Sequence, residues 1–161
     1  MAAVDYFMKI DGIEGESTDE AHKGAVNVES FSFGVTQTGS FGGGGGGGAG
    51  KAQFQDLHFT SKTSKASPKL FLACASGEHI KKAQLFCRKA GGEQQPFEFM
   101  KVTFTDVLVS SYQTGGSGDQ PSESLSLNFA KVEFIWFEQS AAGTAGSVVS
   151  AGWDIKANKK L

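Results

Sequence analysis

Several classes of protein are excluded by what this sequence lacks. Its two cysteines, Cys74 and Cys87, cannot form the disulfide framework of a small secreted domain. With 15 basic and 17 acidic residues, the formal net charge of −2 argues against a general binder of nucleic acid or anionic membranes. No stretch approaches the roughly 18 apolar residues of a membrane-spanning helix, and no basic, then apolar, leader opens the chain. We expect a soluble protein made in a reducing cytoplasm and not exported by a cleaved signal peptide.

What the sequence does contain is phenylalanine and apolar residues that alternate with polar ones. Fourteen phenylalanines, against two tyrosines and two tryptophans, indicate an aromatic-rich core of β character. A length of 161 residues predicts one domain, residues 1–161, with an extended glycine-rich loop at about residues 39–50. Segment 4–10 has the period of two that is typical of a strand, and Phe7 on the second phase suggests that both of its faces are covered.

The alternation changes phase within several strand segments. Such slips fall at Glu29–Ser30, between Phe54 and Leu57, within residues 97–109, and between Phe129 and Val132. A one-residue bulge moves the inward-facing set to the other phase and bends the strand, which is how strands turn the corner of a barrel. The pattern therefore predicts a mainly β protein, an antiparallel β-barrel.

A single segment, SPKLFLACASG, is typical of a helix. Ser67 is expected to be its N-cap, Pro68 its first helical residue and Gly77 its left-handed stop. Its apolar face is predicted to hold Leu70, Phe71 and Cys74. We expect one short α-helix flanking the barrel.

The glycine tract imitates a phosphate-binding loop. The pattern G-x-x-x-x-G-K-[ST] fits from Gly45 through Gly50 to Lys51, but Ala52 replaces the hydroxyl that would hold magnesium. A working loop of this kind must lead into a helix, whereas AQFQDLHFT alternates as a strand. We interpret the tract as a connection between two strands, without a nucleotide site.

The energy needed to order this loop is more informative than its motif. Fixing each backbone residue costs roughly 1–2 kcal/mol, so seven glycines would cost about 7–14 kcal/mol, as much as the net stability of a whole domain. We expect residues 39–50 either to remain in solvent or to be held by another molecule.

No set of residues predicts a catalytic, cofactor or metal site. Cys74, His79 and Cys87 lack a fourth ligand and fit no common zinc spacing, so both cysteines are interpreted as small core residues. There is no G-x-S-x-G elbow. Trp136 is expected in the core, which leaves Trp153 too isolated to make a sugar-stacking platform. Five carboxylates miss the calcium-loop spacing and are interpreted as a solvated loop: Asp11, Glu14, Glu16, Asp19 and Glu20.

Four stretches, taken in order, are similar to one family. They are YFMKIDGIEGES, KASPKLFLACASGEHI, SSYQTGGSGDQPSESLSLNFAKVEF and AGWDIKANKK, and the loop ending in AGK fits as well. Together they span nearly the whole chain, and they resemble the Hcp (hemolysin-coregulated protein) family of bacterial type VI secretion systems.

This resemblance implies a non-enzymatic tube subunit. Members of the family fold as β-barrels with a short flanking helix, close into hexameric rings and stack into an inner tube. The tube is driven by a sheath, carries a spike protein and is expelled, and some members hold effectors in the lumen. The partners expected are therefore further copies of the chain, the sheath, the spike and secreted effectors, with no nucleic acid and no membrane insertion.

Two groups of residues are predicted to serve such a tube. Ser32 points away from Phe31 and Phe33 in the FSF alternation and is the candidate that faces the lumen. Candidates for ring stacking are Gly42, Gly43, Gly44, Gly45, Gly46, Gly47, Gly48 and Lys51. The alternatives left open are a monomeric β-barrel that binds a small ligand or carbohydrate, and a phage tail tube protein of the same fold.

Overall fold

The computed structural model describes residues 4–39, 49–89, 96–140 and 145–161, and these ranges contain eleven strands and one helix. The strands are β1 (Val4–Ile10), β2 (Val26–Val28), β3 (Ser30–Ser32), β4 (Val35–Gly39), β5 (Ala49–Phe54), β6 (Leu57–Lys62), β7 (His79–Lys89), β8 (Phe97–Gly115), β9 (Ser122–Gln139), β10 (Ala145–Asp154) and β11 (Lys159–Lys160). The helix is α1 (Ser67–Ser76). The predicted mainly β, antiparallel class with a short helix is confirmed.

The long strand β9 organises the sheet. It pairs with β8 along nearly its whole length on one side. On its other side the first half of β9 pairs with β6 and the second half pairs with β10. Strands β8, β7, β1 and β2 then follow in order, all antiparallel. Strands β4 and β5 form a separate two-stranded ribbon.

The sheet curls but does not close into a hydrogen-bonded barrel. Strand β2 pairs with β1, whereas β3, which begins two residues later, pairs with β6. Glu29 lies at this change of partner, and its N–H donates to the carbonyl of Thr60 at 2.8 Å. The chain therefore turns the corner of the sheet at the predicted Glu29–Ser30 slip. At this corner the two parts of the sheet are joined by the chain itself, which passes from β2 to β3.

The slip predicted within residues 97–109 also corresponds to irregular backbone. The slip between Phe54 and Leu57 lies where β5 ends and β6 begins, and between Phe129 and Val132 the pairing of β9 with β8 keeps its register. The pairing of β7 with β8 shifts between Cys87 and Arg88, and the pairing of β8 with β9 shifts between Val109 and Ser111. Between these two shifts Asp106 has φ of 55°, an unusual conformation for a residue other than glycine. These irregularities let one long strand present different phases to the core along its length.

The interior is filled by apolar side chains from every wall of the curled sheet. Fully buried among them are Met8, Leu57, Phe59, Leu85 and Phe104, with Leu70 from the helix. Such packing is typical of a small barrel whose inside is occupied by its own side chains. The interior of the curled sheet is therefore occupied by the protein's own side chains.

Helix α1 differs in detail from its prediction. Its N-cap is Ala66, because the Ser67 hydroxyl is buried and donates to Glu123 instead of capping the helix. Phe71 is exposed, so the buried face consists of Ser67, Leu70 and Ala73. Gly77 ends the helix in the left-handed conformation, as predicted. No helix in the described ranges has the length and apolar character to cross a bilayer.

The acidic segment 11–24 is held against the sheet at two points. Asp19 accepts two hydrogen bonds from the Arg88 guanidinium, at 2.9 and 2.6 Å, and this pairing lowers the pKa of Asp19. His22 stacks between the rings of Phe7 and Phe86, with centroids 4.7 and 4.6 Å away. The expectation of a solvated carboxylate is therefore wrong for Asp19.

Candidate assembly and transport surfaces

Ser32 lies in a row of polar residues that crosses four strands. It pairs with His58 of β6, His58 pairs with Ser126 of β9, and Ser126 pairs with Ser111 of β8. Directly opposed residues project to the same side of a sheet, so the four side chains share its outward side. Ser32 is exposed, as its phase predicts, while its neighbours Phe31 and Phe33 pack against the core.

A second row runs parallel to the first and has the same character. Ser30 pairs with Thr60, Thr60 with Ser124, and Ser124 with Gln113. The hydroxyls of Ser30 and Thr60 hydrogen-bond each other at 2.6 Å. We call the two rows together the serine face, defined by Ser30, Ser32, His58, Thr60, Ser111, Gln113, Ser124 and Ser126. Its side chains are mainly small, uncharged and polar; Ser126 is buried, and the other members are exposed or partly exposed.

Hydrogen bonds fix the side chains at one end of this face. The extra residue of the β8 bulge, Ser110, donates to Asp56 at 2.6 Å and contacts the Ser126 hydroxyl at 2.7 Å. Asn128 donates to the other oxygen of Asp56 at 2.9 Å. Both carboxylate oxygens are thus occupied, so this part of the surface is held in one arrangement.

A buried glutamate ties the helix to the wall behind the serine face. Glu123 accepts hydrogen bonds from Ser61 at 2.8 Å, from Ser67 at 2.6 Å and from Tyr112 at 2.8 Å. Burial and the bond to Glu123 raise the pKa of Tyr112, which keeps its hydroxyl protonated as a donor. The cluster joins β6, α1, β8 and β9, so it supports the shape of the wall.

Lys51 lies on the two-stranded ribbon. It is exposed on β5, and the chain continues as a strand, which agrees with the rejection of a nucleotide site. The stacking candidates Gly42 to Gly48 lie outside the described residues. Gly50 is packed closely enough that a Cβ would lie 2.4 Å from the carbonyl oxygen of Thr38, so this position requires glycine.

The inward side of the sheet continues past the buried core and carries exposed apolar side chains there. Phe134 and Trp136 of β9 pair with the buried Val102 and Met100, so they lie on the inward side of the sheet. Val149 of β10 is directly opposite Trp136. Yet these three side chains, which we call the apolar extension, are 39%, 44% and 64% exposed. The expectation that Trp136 lies in the core is therefore wrong for the single subunit.

The residues considered for metal binding do not form a ligand set. In the described ranges, no three His, Cys, Asp or Glu side chains come close enough to share an ion. Cys87 is completely buried, and burial raises the pKa of its thiol to about 12, which opposes formation of the thiolate ligand. His79 instead contacts Asp106 at 2.9 Å.

Comparison with known families accounts for the fold. The family model described as type VI secretion system effector, Hcp, matches residues 7–136. The chain belongs to the Hcp family. Protein hcp1 of Pseudomonas aeruginosa is 47% identical to it over 159 residues, which cover 97% of this chain and 98% of that protein.

Solved structures of Hcp proteins have the same fold. Hcp1 from Salmonella typhimurium is 38% identical, with a TM-score of 0.83 and coverage of 99% of both chains. A type VI secretion system effector from Yersinia pestis is 34% identical, with a TM-score of 0.77, over 93% of this chain and 99% of that one. The resemblance seen in the sequence is confirmed, and this Hcp chain is a secreted tube protein of the type VI system.

Sequence reasoning found Ser32 but missed most of the serine face. The signal was present in SESLSLNF, where Ser122, Ser124, Ser126 and Asn128 alternate with buried residues. Alternation shows which residues share a side of one strand, but it does not show which strands are neighbours. The rows became visible only with the register of the sheet.

Proposed function

We propose that this Hcp chain closes into six-membered rings that stack as the inner tube of the secretion machine. The observation that supports the ring is the apolar extension. Phe134, Trp136 and Val149 lie on the core side of a sheet that its own subunit leaves uncovered. Burying apolar surface contributes roughly 25 cal/mol per Å², and a neighbouring copy would supply the cover.

The serine face supports the second part of the proposal, a lumen wall that carries effectors. In this arrangement Ser32 faces the bore, among hydroxyls that already bond one another. Small uncharged side chains present little to which a passing protein can adhere, whereas large exposed apolar groups would hold it. The wall would therefore hold a cargo weakly and release it.

The glycine tract supports the third part, the stacking of rings. The conformational entropy lost on ordering Gly42 to Gly48 is too large for the contacts within one subunit to offset. Contacts with the next ring would offset it. Lys51, exposed on the ribbon from which the tract extends, would lie at the same junction. The full assembly would be built in the bacterial cytoplasm with the sheath, spike and effectors and then expelled, with no catalysis by this subunit.

Sedimentation velocity at micromolar concentration and near-physiological salt tests the ring. We expect a species of six subunits. A monomer at every concentration would contradict the proposal and return attention to a ligand-binding module, which would show a saturable, ligand-dependent rise in melting temperature.

The lumen assignment has its own test, in which Ser32→Arg places a long charged side chain on the serine face. We expect hexamers to remain while retention of a co-expressed effector of the same secretion system is lost. Ser32→Thr, a small polar replacement, is the control and should retain the effector. If Ser32→Arg prevents assembly, Ser32 lies in a packed interface and not in the bore.

A further inference from the structure

One member of the serine face differs from the other seven. His58 lies at its centre, directly between Ser32 and Ser126 in the sheet register, and its side chain is exposed. The other members bear hydroxyls, or in Gln113 an amide, and none of these groups ionises near neutral pH. An imidazole also extends farther from the backbone than a serine hydroxyl. A molecule that moves over this face therefore meets His58 among its most prominent groups.

The charged groups around His58 are few and are already engaged. From β3 it is faced by Ser30 and Ser32, and from β9 by Ser124, Ser126 and Asn128, all of them uncharged. Asp56 lies just before this strand, two residues from His58, with one carboxylate oxygen bonded to Ser110 and the other to Asn128. Lys62 lies at the far end of the strand, 3.9 Å from Glu29. Thus His58 is exposed at the centre of the face, and it is the one ionisable side chain among the eight members of the face.

We propose that His58 is the residue by which this face recognises acidic protein cargo. The inference rests on the proposed lumen function and names the chemistry of its partner. Histidine changes its charge between about pH 5 and pH 8, and in the charged form both ring nitrogens donate hydrogen bonds. A carboxylate on the cargo is the complementary group. In a ring, six copies of His58 would line one level of the bore, so weak single contacts would add.

The test measures binding of a defined acidic probe to the assembled protein. A fluorescently labelled oligo-glutamate of about ten residues is titrated at about pH 6 and about pH 8, and oligo-lysine of equal length serves as the comparison. Anisotropy reports binding, and sedimentation velocity of the same samples reports the ring. We expect oligo-glutamate to bind about three- to tenfold more tightly at the lower pH, and oligo-lysine to show no such gain.

Three variants separate the role of His58 from a structural one. His58→Gln should assemble normally and lose the pH dependence, whereas His58→Lys should bind oligo-glutamate at both pH values because its charge is permanent. His79→Gln is the matched control, since His79 is another exposed imidazole but already contacts Asp106. It should behave like the wild type.

The outcomes distinguish this inference from the function on which it rests. A wild-type protein that sediments as a monomer would overturn the ring itself. A six-subunit ring that binds oligo-glutamate equally at both pH values, or whose affinity is unchanged by His58→Gln, would overturn the role of His58 and leave the ring standing.

Discussion

At the scale of single residues, Arg88 is one of the side chains that hold the acidic segment 11–24 against the sheet. It is largely buried, with its guanidinium bonded to Asp19 and lying 5.0 Å from the centre of the Phe7 ring. A buried cation without its partner is costly, so the Asp19 carboxylate matters more than a carboxylate on an open surface would. Together with His22, which packs between Phe7 and Phe86, this contact holds the segment more firmly than its composition suggests.

Asp19→Asn should therefore destabilise the protein by about 1–3 kcal/mol at neutral pH, because Arg88 loses its hydrogen-bonded charged partner and keeps only Asp5, 3.7 Å away. The pKa of Asp19 is lowered in the folded state by the bond to Arg88. Its contribution to stability is therefore fully present above the unfolded pKa of about 4 and is lost as pH falls through the folded value.

Urea unfolding of both proteins at a series of pH values measures this effect. The free energies of wild type and Asp19→Asn should converge in strong acid. Glu20→Gln, a change at the exposed acidic neighbour, is the control and should alter the free energy of unfolding by no more than about 0.5 kcal/mol. A constant difference between wild type and Asp19→Asn down to acid pH would show that the carboxylate charge is not the cause.

At the scale of elements, the end of helix α1 depends on backbone conformation. Gly77 has φ of 68°, and the N–H groups of Gly77 and Glu78 donate to the carbonyls of Cys74 and Ala73. A Cβ at Gly77 would meet nothing within 4 Å. Any cost of adding one therefore comes from the left-handed backbone and not from crowding.

Gly77→Ala should lower the free energy of unfolding by about 1 kcal/mol, the cost of placing a residue with a Cβ in this conformation. Gly115→Ala is the matched control, because a Cβ there also meets nothing within 4 Å and Gly115 does not have positive φ. Chemical denaturation of the wild type and the two variants measures the loss in free energy of unfolding for each substitution. Equal effects would mean that the left-handed stop contributes nothing specific.

The glycine tract gives a second prediction at this scale. Deleting Gly42 to Gly48 should leave single rings intact while weakening their stacking, because it removes the segment proposed to cross between rings. Electron microscopy of tubes before and after the deletion measures their length. The control replaces the same seven residues by a serine-glycine linker of equal length, which keeps the reach of the loop. Tubes of unchanged length in the deletion variant would refute the stacking role.

The sequence predicted those parts of the elements that depend on near neighbours. The slip at Glu29–Ser30 and the stop at Gly77 follow from local phase and local backbone, and both are found. Ser67 was wrongly predicted as an N-cap because its hydroxyl bonds Glu123, which is 56 residues away. The serine face was mostly missed for the same reason, since it depends on pairing between distant strands.

At the scale of the whole molecule, the prediction about Trp136 is wrong in a way that supports the proposed assembly. Its phase, which it shares with the buried Val132, correctly placed it on the inward side of the sheet. It is nevertheless 44% exposed, because the sheet continues past the core of its own subunit. Phe33 and Phe99 cover only part of this surface, through ring contacts at 5.9 and 5.5 Å to Phe134 and Trp136. An apolar side chain that has the phase of buried residues but is exposed in the single subunit is typical of a subunit interface.

Two adjacent valines of β10 offer a direct test of this interpretation. Val149 lies opposite Trp136 on the inward side of the sheet, and Val148 lies opposite Phe137 on the outward side. They are similarly exposed in the subunit, 64% and 58%. Replacing either valine by lysine should therefore change the free energy of unfolding of the isolated subunit by about the same amount. The main difference between the two variants is the side of the sheet on which the lysine lies.

We expect Val149→Lys to shift the protein from rings to monomers in sedimentation velocity, because it would bury an unpaired charge in the interface at a cost of several kcal/mol per contact. Val148→Lys should sediment like the wild type, and both variants should retain native circular dichroism. If Val148→Lys dissociates the ring and Val149→Lys does not, the neighbouring subunit packs on the outward side of β10. If neither does, the ring closes elsewhere, and the apolar extension must be covered by a different partner.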